Sequence, residues 1–138
     1  MKELTTDASI QKLDEVLDFI DELLEEWNCP LKTVHQINIA AEEIFVNIAH
    51  YAYGEGTGEA KITVGKSGDM AEIIFTDSGT PYNPLARPDP DVTLSAEERE
   101  IGGLGIYMVK KSMDEVEYQY RDGCNVFTMR KFIGDVKK

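Results

Sequence analysis

Histidine and cysteine are scarce in this chain, with two of each among 138 residues. Cys29 and Cys124 lie far apart, form no C-x-x-C pair and have no histidine cluster beside them, so neither a zinc centre nor a dithiol redox site is indicated. Both are expected to be small buried hydrophobes and not the halves of a disulfide. No apolar run approaches the roughly 18 residues of a membrane span. The opening Met1-Lys2-Glu3-Leu4-Thr5 lacks the basic-then-apolar order of a signal peptide, so a cytoplasmic protein with no membrane partner is expected. Positive charge is the other shortage: 14 Lys and Arg stand against 26 Asp and Glu, a net charge of −12. That balance argues against nucleic acid, whose phosphates need a basic patch. It repels nucleotides as well, so any phosphate site must rely on backbone amides, helix ends and a bridging cation.

What is present suits one domain with one core, since 42% of the residues are hydrophobic and the length is too short for two cores. Residues 8–27 space Ile10, Leu13, Val16, Leu17, Ile20, Leu23, Leu24 and Trp27 as an amphipathic helix, with Thr6 or Asp7 as its cap and an acidic, solvated outer face. Asn28-Cys29-Pro30 stops it. Thr33-Val34-His35-Gln36 has the capping-box pattern and opens a central helix that ends near Tyr53, although Pro30 also fits as a start one turn earlier.

Two hairpins follow from period-2 patterning: Ala60–Lys66 with Met70–Thr76 around Ser67-Gly68-Asp69, and Glu115–Arg121 with Asn125–Phe132 around Asp122-Gly123. Between them a long segment, about 78–102, holds Pro81, Pro84, Pro88 and Pro90, with Ser95-Ala96-Glu97-Glu98 as a short-helix cap. Loops of that length in a small domain are lids, binding loops or disordered. A further helix runs from about Gly103 to Met113, and a short strand is expected at Glu3–Thr5. The order predicts an α+β, two-layer sandwich, helices on one face of a mostly antiparallel sheet.

The central helix carries the unusual feature. At 100° per residue, Ile37, Ala41, Ile44 and Ile48 form one apolar line and Ile39 and Val46 lie nearly opposite, so the helix is expected to be covered on two sides. Glu43 and Asn47, one turn apart, share a strip between those sides and should face a partly enclosed space. Buried polar groups cost roughly 1–3 kcal/mol each unless paired. Further on, Asp77-Ser78-Gly79 sits where a strand ends and the long segment begins. A carboxylate there can accept a hydrogen bond from an exocyclic amine such as adenine's, with Gly79 letting a flat ring approach. Gly102-Gly103-Leu104-Gly105 leads into a helix N-terminus, whose free amides favour phosphate oxygens.

Taken in order, Glu43-x-x-x-Asn47, Asp77-x-Gly79 and Gly103-x-Gly105 resemble the N, G1 and G2 boxes of the Bergerat-fold (GHKL) ATP-binding superfamily, at the spacing of its small branch of anti-sigma-factor serine-protein kinases. The resemblance covers residues 33–131. It implies a single histidine-kinase-like ATPase domain over residues 1–138, with an ATP lid at about 78–102. Its cofactors would be ATP and Mg²⁺. Asn47 would be the metal ligand and Glu43 the catalytic base. Asp77 and Gly79 would take the adenine, and Gly103, Leu104 and Gly105 the phosphates. Arg99, or less so Arg87, would reach the γ-phosphate, and Tyr51 would line the pocket, as would Tyr53, although aromatic packing at the helix end explains both tyrosines as well. In one departure, the histidine these kinases often carry four residues after the asparagine is Tyr51 here, and His50 is given no catalytic role.

The implied function is serine/threonine-protein kinase activity on a small antagonist (STAS-like) partner, with sequestration of a sigma factor as a further property of the branch. A homodimer is implied as well. A non-catalytic ATP-dependent module that captures and releases a partner fits the same residues, and so does a nucleotide-free interaction domain.

Overall fold

The computed structural model describes residues 1–53, 56–86 and 103–134, with the backbone alone for 103 and 104. Strands β1 (Lys2–Asp7), β2 (Glu59–Ser67), β3 (Met70–Asp77), β4 (Glu115–Arg121) and β5 (Cys124–Phe132) form one sheet in the order β1-β2-β3-β5-β4. All neighbours in it are antiparallel. The two hairpins close on the turns their sequences demand. Gly68 takes φ +61, and Asp122 and Gly123 take φ 55 and 79, the positive angles that tight hairpin loops require.

Alternation along the strands puts Ala60, Ile62, Val64, Ala71, Ile73, Phe75, Phe127 and Met129 on one face, each buried. Helices α1 (Leu13–Glu26), α2 (Leu31–Tyr51) and α3 (Gly103–Ser112) cover that face with Val16, Ile20, Leu24, Ile37, Ala41, Phe45, Ile106 and Val109. Each valine, leucine, isoleucine, methionine or phenylalanine among them taken fully out of water contributes roughly 1.5–3 kcal/mol before entropy is charged against it. The other sheet face carries Lys61, Glu72, Thr76, Gln119 and Arg130 along an open groove. This is the expected α+β two-layer sandwich. Among the described residues no helix is long and apolar enough to cross a membrane.

Several local expectations are corrected. The first strand runs to Asp7, so Thr6 and Asp7 cap nothing. Ser9 instead accepts from the Gln11 amide and starts a 3-10 turn, Ile10–Lys12, ahead of α1. Thr6 reaches the helix another way, donating its hydroxyl to Glu15 at 2.8 Å. The central helix begins at Leu31 after Pro30, one turn before the capping box, because proline's fixed φ already suits a first turn. Ile37, Ala41, Ile44 and Ile48 are buried as the 3.6 period requires, whereas on the opposite side Val46 is half-buried and Ile39 is 56% exposed, so that second side is covered only in part. The cysteines are free and half-buried, not fully enclosed.

Candidate functional site

Two periodicities meet at one end of the core. On β3 the inward positions run Ala71, Ile73, Phe75 and then Asp77; on β5 they run Asn125, Phe127 and Met129. Asp77 and Asn125 are direct cross-strand partners, and both are more than nine-tenths buried. The apolar face of the sheet therefore ends in a carboxylate and an amide. Above them lies the C-terminal half of α2. Together they line a cleft with about 450 Å³ of atom-free space, counting its open mouth, bounded by Ile44, Asn47, Ile48, Phe75, Asp77 and Tyr82 among others. Tyr51 is also on its rim, although it is 63% exposed.

Asp77 is held by one oxygen. Its Oδ1 accepts from the Gly79 amide and from Asn125 Nδ2, both at 2.9 Å. Among the described residues no hydrogen bond falls on Oδ2. Asp77 is one of the residues that line the cleft. The turn after it is keyed to α2. The Thr80 amide donates to Ala52 O at 2.7 Å, and Ser78 N donates to the Tyr53 hydroxyl at 3.0 Å. A Cβ on Gly79 would stand 2.1 Å from Ala52 O, a backbone atom, so only glycine permits this approach.

Glu43 and Asn47 are joined directly, Asn47 Nδ2 donating to Glu43 Oε2 at 3.1 Å. Both are half-buried. Asn47 lines the cleft; Glu43 lies one turn back toward the start of α2, beneath the N-terminus of α3. A Cβ on Gly105 would fall 2.3 Å from Glu43 Cδ and Oε1. Gly105→Ala is therefore expected to push the carboxylate aside, lowering any activity that depends on it about 10-fold to 100-fold while costing only about 1–3 kcal/mol of stability. Turnover and urea denaturation of the variant check the two halves separately.

The structure thus brings Asn47, Tyr51 and Asp77 to one cleft; Glu43, which is bonded to Asn47, and Gly105, which packs on Glu43, lie outside its lining, as does Gly79. Gly103 and Leu104 are placed at the start of α3 by backbone alone. Arg87, Arg99 and the Ser95 cap lie outside the described residues, as does most of the segment read as a lid. His50 is exposed and meets Tyr51 edge-on at 5.9 Å.

Sequence reasoning missed Asn125 and Tyr118, which donates its hydroxyl to Asn125 Oδ1. The signal was the alternation Asn125, Phe127, Met129, which turns the amide inward. It also misplaced Tyr53, which does not line the cleft. Its hydroxyl donates to Glu59 O at 2.6 Å and braces the Asp77 turn from behind. Burial pushes the Tyr53 phenol above its ordinary pKa, so it remains a donor at neutral pH.

Comparison with known proteins gives the site a context. The Serine-protein kinase RsbW of Bacillus cereus (strain AH187) is 31% identical over 104 residues, 72% of this chain and 64% of that protein. The RsbW kinase of Listeria monocytogenes serovar 1/2a is 30% identical over 109 residues, 75% of this chain and 69% of that one. The chain therefore spans about two thirds or less of the Bacillus relatives' length. Among solved structures, the RsbU and RsbW domains of Rv1364c from Mycobacterium tuberculosis superpose with a TM-score of 0.65 at 15% identity, covering 100% of this chain and 34% of that one. The catalytic domain of histidine kinase ThkA gives 0.56 at 16% identity, over 96% and 98%. At these identities the two structures show a shared fold. The family model described as a histidine kinase-like ATPase domain matches residues 6–131, which takes in α2, the Asp77 turn and α3, and the chain belongs to that family.

Proposed function

We propose that the chain is an ATP-dependent serine/threonine-protein kinase of the anti-sigma-factor type, acting as one ATP-binding domain over residues 1–138 with its lid at about 78–102. The relatives named serine-protein kinase support this reading, and one observation carries it: the Asn47–Glu43 hydrogen bond. By giving Nδ2 to the carboxylate, Asn47 turns its amide Oδ1 away from Glu43, where a hard cation finds an oxygen ligand. The amide nitrogen occupies one lone pair of Oε2, which leaves the other carboxylate lone pairs of Glu43 to take up a proton. Among the described residues none of the ion pairs involves Glu43.

The residues present fit Mg²⁺ and ATP. Asp77 Oδ2 offers an acceptor to the adenine amine inside an apolar cleft. From Tyr51 at the cleft to Glu43, α2 rises about 12 Å, so base-reading and proton-accepting groups stand at opposite ends of an elongated site. Glycines at 103 and 105 leave the amides of the α3 N-terminus open to phosphate oxygens. Bound magnesium would supply neutralisation of the phosphate charge, which is most of what phosphoryl transfer asks of its surroundings. Glu43 receives the proton of a serine or threonine hydroxyl presented by the partner.

The proposed partner is a small antagonist domain of the STAS-like kind, and binding of a sigma factor and formation of a homodimer belong to the same reading. Incubation of the chain with Mg-ATP and such a domain tests it. Label on a serine or threonine of the partner is the expected result; nucleotide binding with no phosphoprotein would replace the kinase by a capture-and-release module.

A further inference from the structure

We propose that Asn125 is the positioning residue that decides which oxygen of Asp77 a nucleobase meets, and that it ties the root of the lid to that oxygen. The inference rests on reading Asp77 as the base-contacting carboxylate.

The amide of Asn125 is saturated. Nδ2 donates to Asp77 Oδ1 and to Thr80 O, each at 2.9 Å, while Oδ1 accepts from the Tyr82 amide at 3.0 Å and from the Tyr118 hydroxyl. A side-chain amide has two donors and two principal acceptor sites, so none is left for a ligand. Rotating it by half a turn would set its oxygen against a carboxylate and a carbonyl, and its NH₂ against an amide N–H and a phenol. Only one orientation is therefore allowed, and in it the donor always faces Asp77 Oδ1. That oxygen is also capped by Gly79 N, which leaves Oδ2 as the acceptor offered to the cleft.

The same amide holds the chain on both sides of Pro81, through Thr80 O and Tyr82 N. Proline fixes its own φ, so the first residues leaving the cleft have little freedom while Asn125 grips both neighbours. Base capture at Asp77 and the direction in which the following segment departs thus share one side chain. Tyr118 supports the arrangement from β4, and burial pushes its phenol above the ordinary value, which keeps it a neutral donor to Asn125.

Asn125→Asp turns this hub into a proton-dependent one. The titratable groups facing the position are Asp77 on β3 and Tyr118 on β4, with Tyr51 on α2 and Tyr82 on the lid root lining the same cleft and Tyr53 behind the Asp77 turn; the described lining contains no Lys, Arg or His. Two carboxylates at hydrogen-bond distance cannot both ionise readily, and a single proton between them restores a donor. Measured by calorimetry against the unaltered chain at the same pH, Mg-ATP affinity of Asn125→Asp is expected to fall about 30-fold near pH 8, and most of that deficit to vanish near pH 5.5. Affinity like the unaltered chain's at both pH values overturns the inference. So does an equal deficit at both, which marks a merely structural defect.

Should that variant fail to fold, Tyr118→Phe removes one acceptor bond of the amide without adding charge. It is expected to weaken Mg-ATP about threefold to 10-fold and to narrow the preference for ATP over the 6-oxopurine nucleotide ITP; an unchanged affinity and ratio would overturn the role of Asn125. Absence of Mg-ATP binding by the unaltered chain refutes the reading of Asp77 itself, which separates the two failures.

Discussion

Glu43→Gln is expected to lower phosphoryl transfer to the partner by about 10²-fold to 10⁴-fold, the usual contribution of a positioned base, while Mg-ATP affinity changes by less than about threefold. The substitution keeps the length and shape of the side chain, and a carbonyl oxygen in place of Oε2 still accepts from Asn47 Nδ2, a bond of 3.1 Å in the native chain. Asn47 therefore keeps its orientation and the metal ligand is preserved. What is lost is the charge that takes up the hydroxyl proton. A radiolabel transfer assay paired with a nucleotide titration measures both sides; transfer at the native rate contradicts the assignment. Loss of binding together with transfer would mean that Glu43 shapes the site without acting in the chemistry.

Asp77→Asn has the second large effect, because the protein dictates how the new amide must point. The Gly79 amide and Asn125 Nδ2 both donate to Oδ1, so the substituted oxygen has to occupy that place and the NH₂ must face the cleft. An acceptor offered to the ligand becomes a donor. ATP, whose base presents an amine there, is expected to lose about 30-fold to 100-fold in affinity, since a hydrogen bond to a charged group contributes roughly 1.5–3 kcal/mol. ITP, which presents a carbonyl at the same ring position, is expected to gain relative to ATP and to equal or exceed it. Competition titrations with both nucleotides decide the matter. A uniform loss of both would show that Asp77 supports the turn but does not contact the base.

These effects depend on features whose visibility in the sequence differed. Glu43 and Asn47 were legible as neighbours because helical periodicity is a local rule, and so was the placement of Asp77 at a strand end. The hairpin turns were equally plain, since Asp122-Gly123 states its own backbone angles. Asn125 was harder: its inward direction follows from alternation with Phe127 and Met129, but its partners, Asp77, Thr80, Tyr82 and Tyr118, come from three other segments that the β3–β5 and β4–β5 registers bring together. Ile39 was misjudged for the opposite reason. Periodicity gives the face on which a residue lies, and it says nothing of whether another element covers that face. Thr6 shows a third limit, because a threonine before a helix reads as a cap wherever the strand preceding it is thought to stop. Gly79 and Gly105 were read as making room for the base and the phosphates, whereas the packing that requires glycine at each comes from Ala52 O and the Glu43 carboxylate.

A crystal structure of the chain with Mg²⁺ and a non-hydrolysable ATP analogue tests the site most directly. The adenine amine should lie within hydrogen-bond distance of Asp77 Oδ2, the metal should be ligated by Asn47 Oδ1, and the phosphate chain should run along α2 toward Glu43. Nucleotide seated elsewhere, or a metal held without Asn47, would contradict it.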